Sequence, residues 1–185
     1  MLAGLQDYVD SQQGDILIVL HQMGSHGPAY YKRYPEAFEK FTPVCKTQEL
    51  GKCTQQEIIN TFDNTILYTD FFLGEVIEFL KANSPASETA MFYMSDHGES
   101  LGEKGLYLHG MPYLFAPESQ TRVPALIWVG ASSDIDFEKS KSLQDEVNSH
   151  DAIAKTLLDL FEVETDFKHA HTNPLVYFKD EQDDH

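Results

Sequence analysis

The sequence predicts an α/β fold in which a mainly parallel sheet is flanked by helices on both faces. Residues 16–20 and 90–94 are short, continuous apolar runs, a pattern typical of strands buried on both faces of a parallel sheet. Between them, residues 56–81 carry apolar side chains at close to helical spacing, which predicts a long helix packed on the sheet. Because strands and helices alternate along the chain, the α/β class follows.

The remaining elements continue this alternation. Residues 1–14 are amphipathic and are predicted to be helical, ending at a glycine. Residues 54–57, Thr-Gln-Gln-Glu, fit a capping box at the start of the long helix. The later part of the chain predicts a buried strand, a surface loop and a final helix, at residues 123–130, 131–145 and 151–161 respectively.

Composition and charge limit the class of protein. The chain has 185 residues, of which 42% are hydrophobic and 12% aromatic, so it has the length of a single domain and can bury a hydrophobic core. Its 13 basic and 30 acidic residues give a net charge of −17, which repels nucleic acid and anionic membranes. A local cationic site, such as one with bound divalent cations, would be an exception. No apolar run approaches the roughly 20 residues that span a bilayer, and the first residues do not resemble a signal peptide. We therefore expect a soluble chain without a targeting segment.

The main candidate for chemistry follows the apolar run at residues 90–94. Asp96 and His97 lie where that strand is predicted to end, and ligands at strand ends are typical of open α/β sheets. A glycine follows them and permits the sharp turn that both side chains need to reach one ion. A carboxylate with an imidazole suits Zn²⁺ or Mn²⁺, and a nitrogen of His109 can supply a third ligand. An isolated Asp-His pair would be an ordinary solvated turn, but the nearby Glu99 and His109 favour a metal or phosphate site.

A second histidine-containing loop follows the first apolar run. His21 and His26 lie in a glycine-rich segment directly after residues 16–20. If both loops lie at the carboxyl edge of one sheet, one of these histidines comes close to Asp96 and His97. A lone loop histidine is usually solvated, so the hypothesis depends on this convergence.

The two cysteines leave two alternatives open. Cys45 and Cys53 are separated by a polar segment that can close a small loop as a disulfide, which would indicate an oxidising compartment. They can equally be two free thiols of a cytosolic protein, because the spacing does not decide. A Cys-x₇-Cys pair does not resemble a zinc-knuckle spacing.

Six segments together form a pattern that is specific enough to indicate a protein family. They are residues 18–28, 32–35, 62–65, 95–103, 107–110 and 150–151. The first reads Ile-Val-Leu-His-Gln-Met-Gly-Ser-His-Gly-Pro, and the fourth reads Ser-Asp-His-Gly-Glu-Ser-Leu-Gly-Glu. They resemble the phosphoethanolamine transferases that modify lipid A. That group includes the colistin-resistance enzymes and belongs to the sulfatase and alkaline-phosphatase-like superfamily.

The resemblance implies an alkaline-phosphatase/sulfatase-like fold and a membrane-anchored enzyme at the periplasmic face of the inner membrane. Such an enzyme takes phosphoethanolamine from phosphatidylethanolamine onto a threonine and passes it to a lipid A phosphate. This lipopolysaccharide modification is associated with polymyxin resistance. Cys45 and Cys53 match a family disulfide, which favours the oxidised alternative.

The resemblance also implies roles for the site residues. Asp96 and His97 match zinc ligands. His26 and His109 match histidines that bind substrate phosphate or a second zinc, and Glu99, which lies beside them, is assigned to the substrate-binding residues with them. The implied cofactor is therefore Zn²⁺, and the implied substrates are phosphatidylethanolamine and lipid A.

The sequence also departs from the family pattern. The family's nucleophilic threonine and first acidic zinc ligand lie in a Gly-Glu-Thr segment that this chain does not contain, and its transmembrane helices are missing too. We therefore expect residues 1–163 to be the carboxyl-terminal portion of a catalytic domain that is inactive alone, associated with a membrane only through the missing helices. Residues 164–185 are expected to be a terminal tail whose charged end, residues 179–185, frays.

Two other functions stay open from the sequence. One is a related phosphodiesterase or glycerol-phosphate transferase of the sulfatase fold. The other is a metal-binding or interaction module with no turnover. A Gly-Glu-Thr segment encoded upstream would favour the transferase.

Overall fold

The computed structural model describes residues 1–164 and 173–179. The helices and strands, in chain order, are α1 Leu5–Asp10, α2 Gln55–Asn83, β1 Ala90–Met94, β2 Ser100–Leu101, β3 Tyr107–Leu108, α3 Glu118–Thr121, β4 Ala125–Val129, α4 Phe137–Lys141 and α5 Asp151–Leu160. The loops of the described residues contain four short 3₁₀ helices, at Tyr30–Lys32, Glu36–Phe38, Leu50–Lys52 and Glu103–Gly105.

The chain forms two compact units. The first consists of Met1–Ala3, Ile18–Phe79 and Phe92–Ile127. The second consists of Gly4–Leu17, Leu80–Met91 and the described residues from Trp128 onward. All the predicted metal and phosphate ligands lie in the first unit.

Helix α2 confirms the predicted long helix and its capping box. The Thr54 amide donates to the Glu57 carboxylate at 2.7 Å, and the Glu57 amide donates back to the Thr54 hydroxyl at 3.3 Å. These contacts satisfy two amides that the first helical turn leaves without partners. The hydrogen bond from the Thr54 amide also holds the pKa of Glu57 below its ordinary value.

Two polar residues on the buried face of α2 fasten the loops that precede it. The side-chain oxygen of Asn64 accepts hydrogen bonds from the amides of Lys40 and Phe41 at 2.8 and 2.9 Å, and its amide donates to the Phe41 carbonyl at 2.9 Å. The Thr65 hydroxyl donates to that of Ser25 at 2.6 Å. Both side chains are almost completely buried. Because buried polar groups are costly without partners, these bonds fix the loops against the helix.

The core of the first unit contains the disulfide. Tyr30, Cys45, Leu50 and Ile58 form its buried cluster, and Cys53 packs against them. Cys45 is bonded to Cys53. The disulfide implied by the family resemblance is therefore present.

Replacing both cysteines with serine should lower the free energy of unfolding by about 2–3 kcal/mol. The reason is that the bridge closes a short loop and so restricts the unfolded chain. Urea unfolding of the wild type and the Cys45→Ser, Cys53→Ser variant, with and without reductant, measures the effect. The reductant should not change the free energy of unfolding of the variant. If the reductant also left that of the wild type unchanged, the prediction would be contradicted.

The two small sheets agree only in part with the predicted sheet. The predicted strands at the two apolar runs are present as β1 and β4, which pair with each other, and β2 pairs with β3 in an antiparallel register. At the two ends of the β1–β4 pair, the Ser95 amide donates to the Pro124 carbonyl and the Gly130 amide to the Thr89 carbonyl. Residue numbers therefore increase along β1 in the direction in which they decrease along β4, so the two strands are antiparallel. The described residues therefore have α/β character but do not confirm a mainly parallel sheet.

The predicted strand at residues 16–20 is wrong for the described part of the chain. These residues have no regular secondary structure, and Leu17 and Val19 are 53% and 79% exposed. A strand requires a neighbour to complete its backbone hydrogen bonds, and apolar composition does not supply one. In the structure as described, no strand lies beside them.

The second unit contains α1, α4 and α5. α1 covers less of the amino-terminal segment than predicted, whereas α5 lies where the final helix was predicted. α4 lies inside the predicted surface loop, so that prediction is wrong for Phe137–Lys141. The Asp136 carboxylate begins α4 by accepting a hydrogen bond from the Lys139 amide at 2.9 Å, which is an ordinary N-cap.

Part of the predicted tail is ordered by main-chain contacts within this unit. The Asp136 amide donates to the Tyr177 carbonyl at 2.9 Å, and the Lys179 amide donates to the Asp134 carbonyl at 2.8 Å. Residues 165–172 and 180–185 lie outside the described part of the chain. The assignment of residues 164–185 as a terminal tail therefore stays a prediction.

No helix in the described residues is long and apolar enough to cross a membrane.

Candidate active site

Three histidines from separate loops converge in the first unit. His26 precedes the short helix at Tyr30–Lys32, His97 follows β1, and His109 follows β3. One ring nitrogen of each lies within 4.8 Å of the others. The ring centroids of His97 and His109 are 3.9 Å apart, and those of His26 and His109 are 4.9 Å apart. The predicted convergence of the two histidine loops is therefore present for His26.

The hydrogen bonds of these rings determine which nitrogens are free. Each ring has its Nδ1 atom beside an oxygen that can only accept, either a backbone carbonyl or a carboxylate. Nδ1 must therefore carry the proton, and in the neutral ring Nε2 keeps its lone pair. The distances are 2.7 Å from His26 to the Gly27 carbonyl, 3.0 Å from His97 to the Gly98 carbonyl, and 3.1 Å from His109 to the Glu99 carboxylate.

Glu99 is the buried centre of the site. Its side chain is 4% exposed, and it accepts three hydrogen bonds. The donors are the Gly27 amide at 3.1 Å, the Tyr30 hydroxyl at 2.7 Å and His109 Nδ1 at 3.1 Å. Three donors compensate a buried carboxylate for the hydration that it loses on folding. Both oxygens are therefore engaged in holding neighbouring residues, and direct substrate binding by Glu99 stays a prediction.

Tyr30 belongs to the site through its hydrogen bond to Glu99, a contact that the sequence did not predict. Burial, with the hydrogen bond to Glu99, raises the pKa of Tyr30 well above its ordinary value. Tyr30 therefore stays protonated and continues to donate to Glu99. The signal in the sequence was only an aromatic residue near a histidine loop, and its partner lies 69 positions away.

Gly27 is required by close packing beside the same carboxylate. A Cβ atom at this position would clash with Leu108 and with the Tyr30 hydroxyl. The absence of a side chain lets the Gly27 amide reach Glu99. A residue other than glycine would push Tyr30 or Leu108 out of place.

Asp96 lies at the exposed edge of the site. Its Oδ1 atom accepts a hydrogen bond from the His97 amide at 3.1 Å and lies 3.9 Å from His97 Nε2. The Asp96 side chain is 76% exposed and is therefore accessible from solvent. Asp96 and His97 are thus close to each other, as predicted, whereas the separate metal and phosphate roles stay predictions.

Gly98 serves packing rather than an unusual backbone conformation. Its φ angle is not in the left-handed region, and a Cβ atom would overlap the Ser119 carbonyl oxygen. Its amide donates to the Gln120 carbonyl at 3.0 Å. The turn after β1 is therefore held directly against α3.

Arg33 supports the other side of the site. Its Nε atom donates to the His26 carbonyl at 2.9 Å, which fixes the loop and brings a guanidinium group beside it. His21, the alternative histidine of the same loop, is not in the three-histidine group formed by the described residues.

The donor set fits either of two ligands. A neutral imidazole that donates from Nδ1 and presents Nε2 is the common arrangement of metal-ligating histidine. In the protonated form, the same rings keep their Nδ1 bonds and can donate from Nε2 to a phosphate oxygen. The arrangement therefore suits a divalent metal, a phosphate group or both.

Comparisons with known proteins identify relatives of this chain. The sulfatase family matches residues 1–163. Phosphatidylethanolamine transferase Mcr-2 of Escherichia coli is 55% identical over 164 residues, which are 88% of this chain and 30% of the relative. Phosphoethanolamine transferase EptA of Escherichia coli K12 is 46% identical over 90% of this chain and 31% of the relative. The chain thus spans about a third of these relatives' length.

Two solved structures have the same fold. The soluble domain of lipooligosaccharide phosphoethanolamine transferase A from Neisseria meningitidis has a TM-score of 0.83 and 43% identity, covering 87% of this chain and 49% of that one. The periplasmic domain of phosphoethanolamine transferase EptC from Campylobacter jejuni has a TM-score of 0.82 and 47% identity, covering 89% and 53%. These matches confirm the resemblance to the phosphoethanolamine transferases. Since the family match covers nearly the whole chain, the chain belongs to the sulfatase family.

Proposed function

We propose that this chain supplies the metal- and phosphate-binding part of a phosphoethanolamine transferase. Its donor would be phosphatidylethanolamine and its acceptor a lipid A phosphate. The observation that carries the proposal is the group of three histidines, each with Nδ1 hydrogen-bonded and Nε2 free. The names of the relatives, which are phosphatidylethanolamine and phosphoethanolamine transferases, support this choice of substrates.

The residues would divide between the two ligands. Asp96 and His97 combine a carboxylate with an imidazole, which is a donor set that suits zinc. A bound zinc ion would polarise a phosphoryl oxygen and lower the pKa of a nucleophile. His26 and His109 would bind the phosphate, with Glu99 holding the ring of His109 in place.

His109 can stabilise negative charge on a phosphate because of its buried partner. As an imidazolium it donates from Nδ1 to Glu99 and from Nε2 to the phosphate oxygen. The carboxylate compensates the positive charge of the ring, so the cost of holding it partly buried is reduced. Charge that accumulates on the phosphoryl oxygens would meet a donor that is already oriented.

The compartment and the complete sheet belong to the same proposal. A disulfide is typical of oxidising compartments, which supports the periplasmic face of the inner membrane. The match to a periplasmic domain supports the same location. A mainly parallel sheet is proposed for the whole domain, of which this chain covers about half.

Calorimetric titration with zinc tests the assignment of the metal ligands. We expect measurable but weak binding by the chain, because its proposed zinc ligands are fewer than the four of a typical structural site. The Asp96→Ala, His97→Ala variant should bind at least about tenfold less tightly. His21→Ala is the matched control, since His21 lies in the same loop as His26 but outside the group, and it should bind like the wild type.

Two results would contradict this assignment. Equal zinc binding by the wild type and the Asp96→Ala, His97→Ala variant would show that neither residue is a zinc ligand. Loss of binding in a His26→Ala, His109→Ala variant, with normal binding in Asp96→Ala, would indicate instead that the three histidines hold one ion.

A further inference from the structure

The loop between His109 and α3 presents three consecutive apolar side chains to solvent. Tyr113, Leu114 and Phe115 are 86%, 85% and 70% exposed. Single exposed apolar residues are common on soluble proteins, but three adjacent large ones usually mark an interaction surface. We call residues 111–116 the apolar loop.

The apolar loop is held by hydrogen bonds. The amides of Phe115 and Ala116 both donate to the Pro112 carbonyl, at 2.8 and 3.0 Å, which closes a turn beneath the exposed side chains. The tip therefore keeps its three side chains on a defined turn. A fixed tip loses less conformational entropy on binding than a flexible one does.

The base of the apolar loop is connected to the histidine site. Gln120 accepts a hydrogen bond from the Met111 amide at 3.4 Å and donates to the Ser100 hydroxyl at 2.9 Å. Ser100 is completely buried and follows Glu99 directly. The exposed tip and the carboxylate that orients His109 thus share one hydrogen-bonded support.

The lack of charge around the apolar loop indicates which kind of lipid surface it can bind. Residues 110–117 contain no Asp, Glu, Lys, Arg or His, although the chain as a whole carries a net charge of −17. An anionic bilayer would repel such a protein, whereas a zwitterionic one would not. Tyrosine and phenylalanine beside leucine are the side chains that favour the boundary between lipid headgroups and acyl chains.

We propose that the apolar loop inserts into the headgroup boundary of a zwitterionic phospholipid surface. This inference rests on the proposed function, because it places the loop beside the site that receives the phosphate of a phospholipid headgroup. Insertion of Tyr113, Leu114 and Phe115 would bring the headgroup layer to the histidines. The donor would then enter the site without leaving the surface completely.

Co-sedimentation with phosphatidylcholine vesicles, in the presence of a chelator, tests the proposal. The wild-type chain should bind at millimolar lipid, and Tyr113→Ser, Leu114→Ser, Phe115→Ser should bind on the order of tenfold less. Val147→Ser is the matched control, because Val147 is 87% exposed and lies outside the loop, and it should bind like the wild type. Circular dichroism checks that all variants fold.

A second measurement locates the contact. A Phe115→Trp variant should gain fluorescence that brominated phosphatidylcholine quenches. The proposal is overturned if the wild type does not bind, if the triple variant binds equally well, if anionic vesicles are preferred, or if the new tryptophan is not quenched. A loop that instead contacts another part of a longer protein would give the first of these results.

The test is independent of the proposed chemistry. Phosphatidylcholine contains no ethanolamine, and the chelator removes metal. A His26→Ala, His109→Ala variant should therefore bind vesicles like the wild type. Failure of zinc or phosphate binding with intact vesicle binding would contradict the proposed function alone.

Discussion

Replacing Glu99 with glutamine should lower the free energy of unfolding by about 2–3 kcal/mol, although the two side chains are almost the same size. The carboxylate accepts hydrogen bonds from Gly27, Tyr30 and His109 in a buried position. An amide has only one acceptor oxygen, and its NH₂ group would face a donor. At least one buried donor therefore loses its partner, and the remaining bonds lose their charge assistance.

Urea unfolding and nitrogen NMR of the histidine rings measure the two parts of this effect. In Glu99→Gln, the Nδ1 proton of His109 should exchange faster and its ring should no longer keep a single tautomer. Glu103→Gln is the matched control, since the exposed Glu103 carboxylate accepts one hydrogen bond in the described contacts, from the Leu101 amide. Equal stability of the two variants would contradict the role of Glu99 as the buried centre.

The parts of the fold that the sequence predicted are those determined by local chemistry. The capping box at Thr54 and Glu57 acts within four residues, so its pattern is visible without knowledge of the fold. β1 and β4 are apolar runs that are paired in the structure. Residues 16–20 have the same composition but no paired neighbour in the described residues, and composition cannot distinguish the two cases.

The site was predicted less completely because its geometry depends on distant contacts. His26, His97 and His109 are recognisable since metal- and phosphate-binding side chains cluster in glycine-rich loops. The hydrogen bond between Tyr30 and Glu99 joins residues 69 positions apart and requires the folded core. Gly98 was interpreted as a turn residue, whereas its lack of a side chain makes room for a carbonyl from a later helix.

Activity should depend on His109 when the chain is joined to the amino-terminal portion of a related catalytic domain. Residues 1–185 would be fused behind the amino-terminal portion of a phosphoethanolamine transferase that carries the family's threonine. With zinc, this fusion should release diacylglycerol from fluorescent phosphatidylethanolamine, and residues 1–185 alone should not. The reason is that covalent transfer requires a nucleophile within reach of the metal.

His109→Ala should reduce turnover of the fusion about 100-fold or more, the usual cost of removing one oriented donor to a developing oxyanion. His109 is oriented by a buried carboxylate, so alanine removes a donor that water cannot replace in the same position. His21→Ala should retain activity, because His21 is not among the three clustered histidines. Full activity in His109→Ala would show that the phosphate binds elsewhere. Zinc-dependent turnover by residues 1–185 alone would show that the nucleophile lies within this chain.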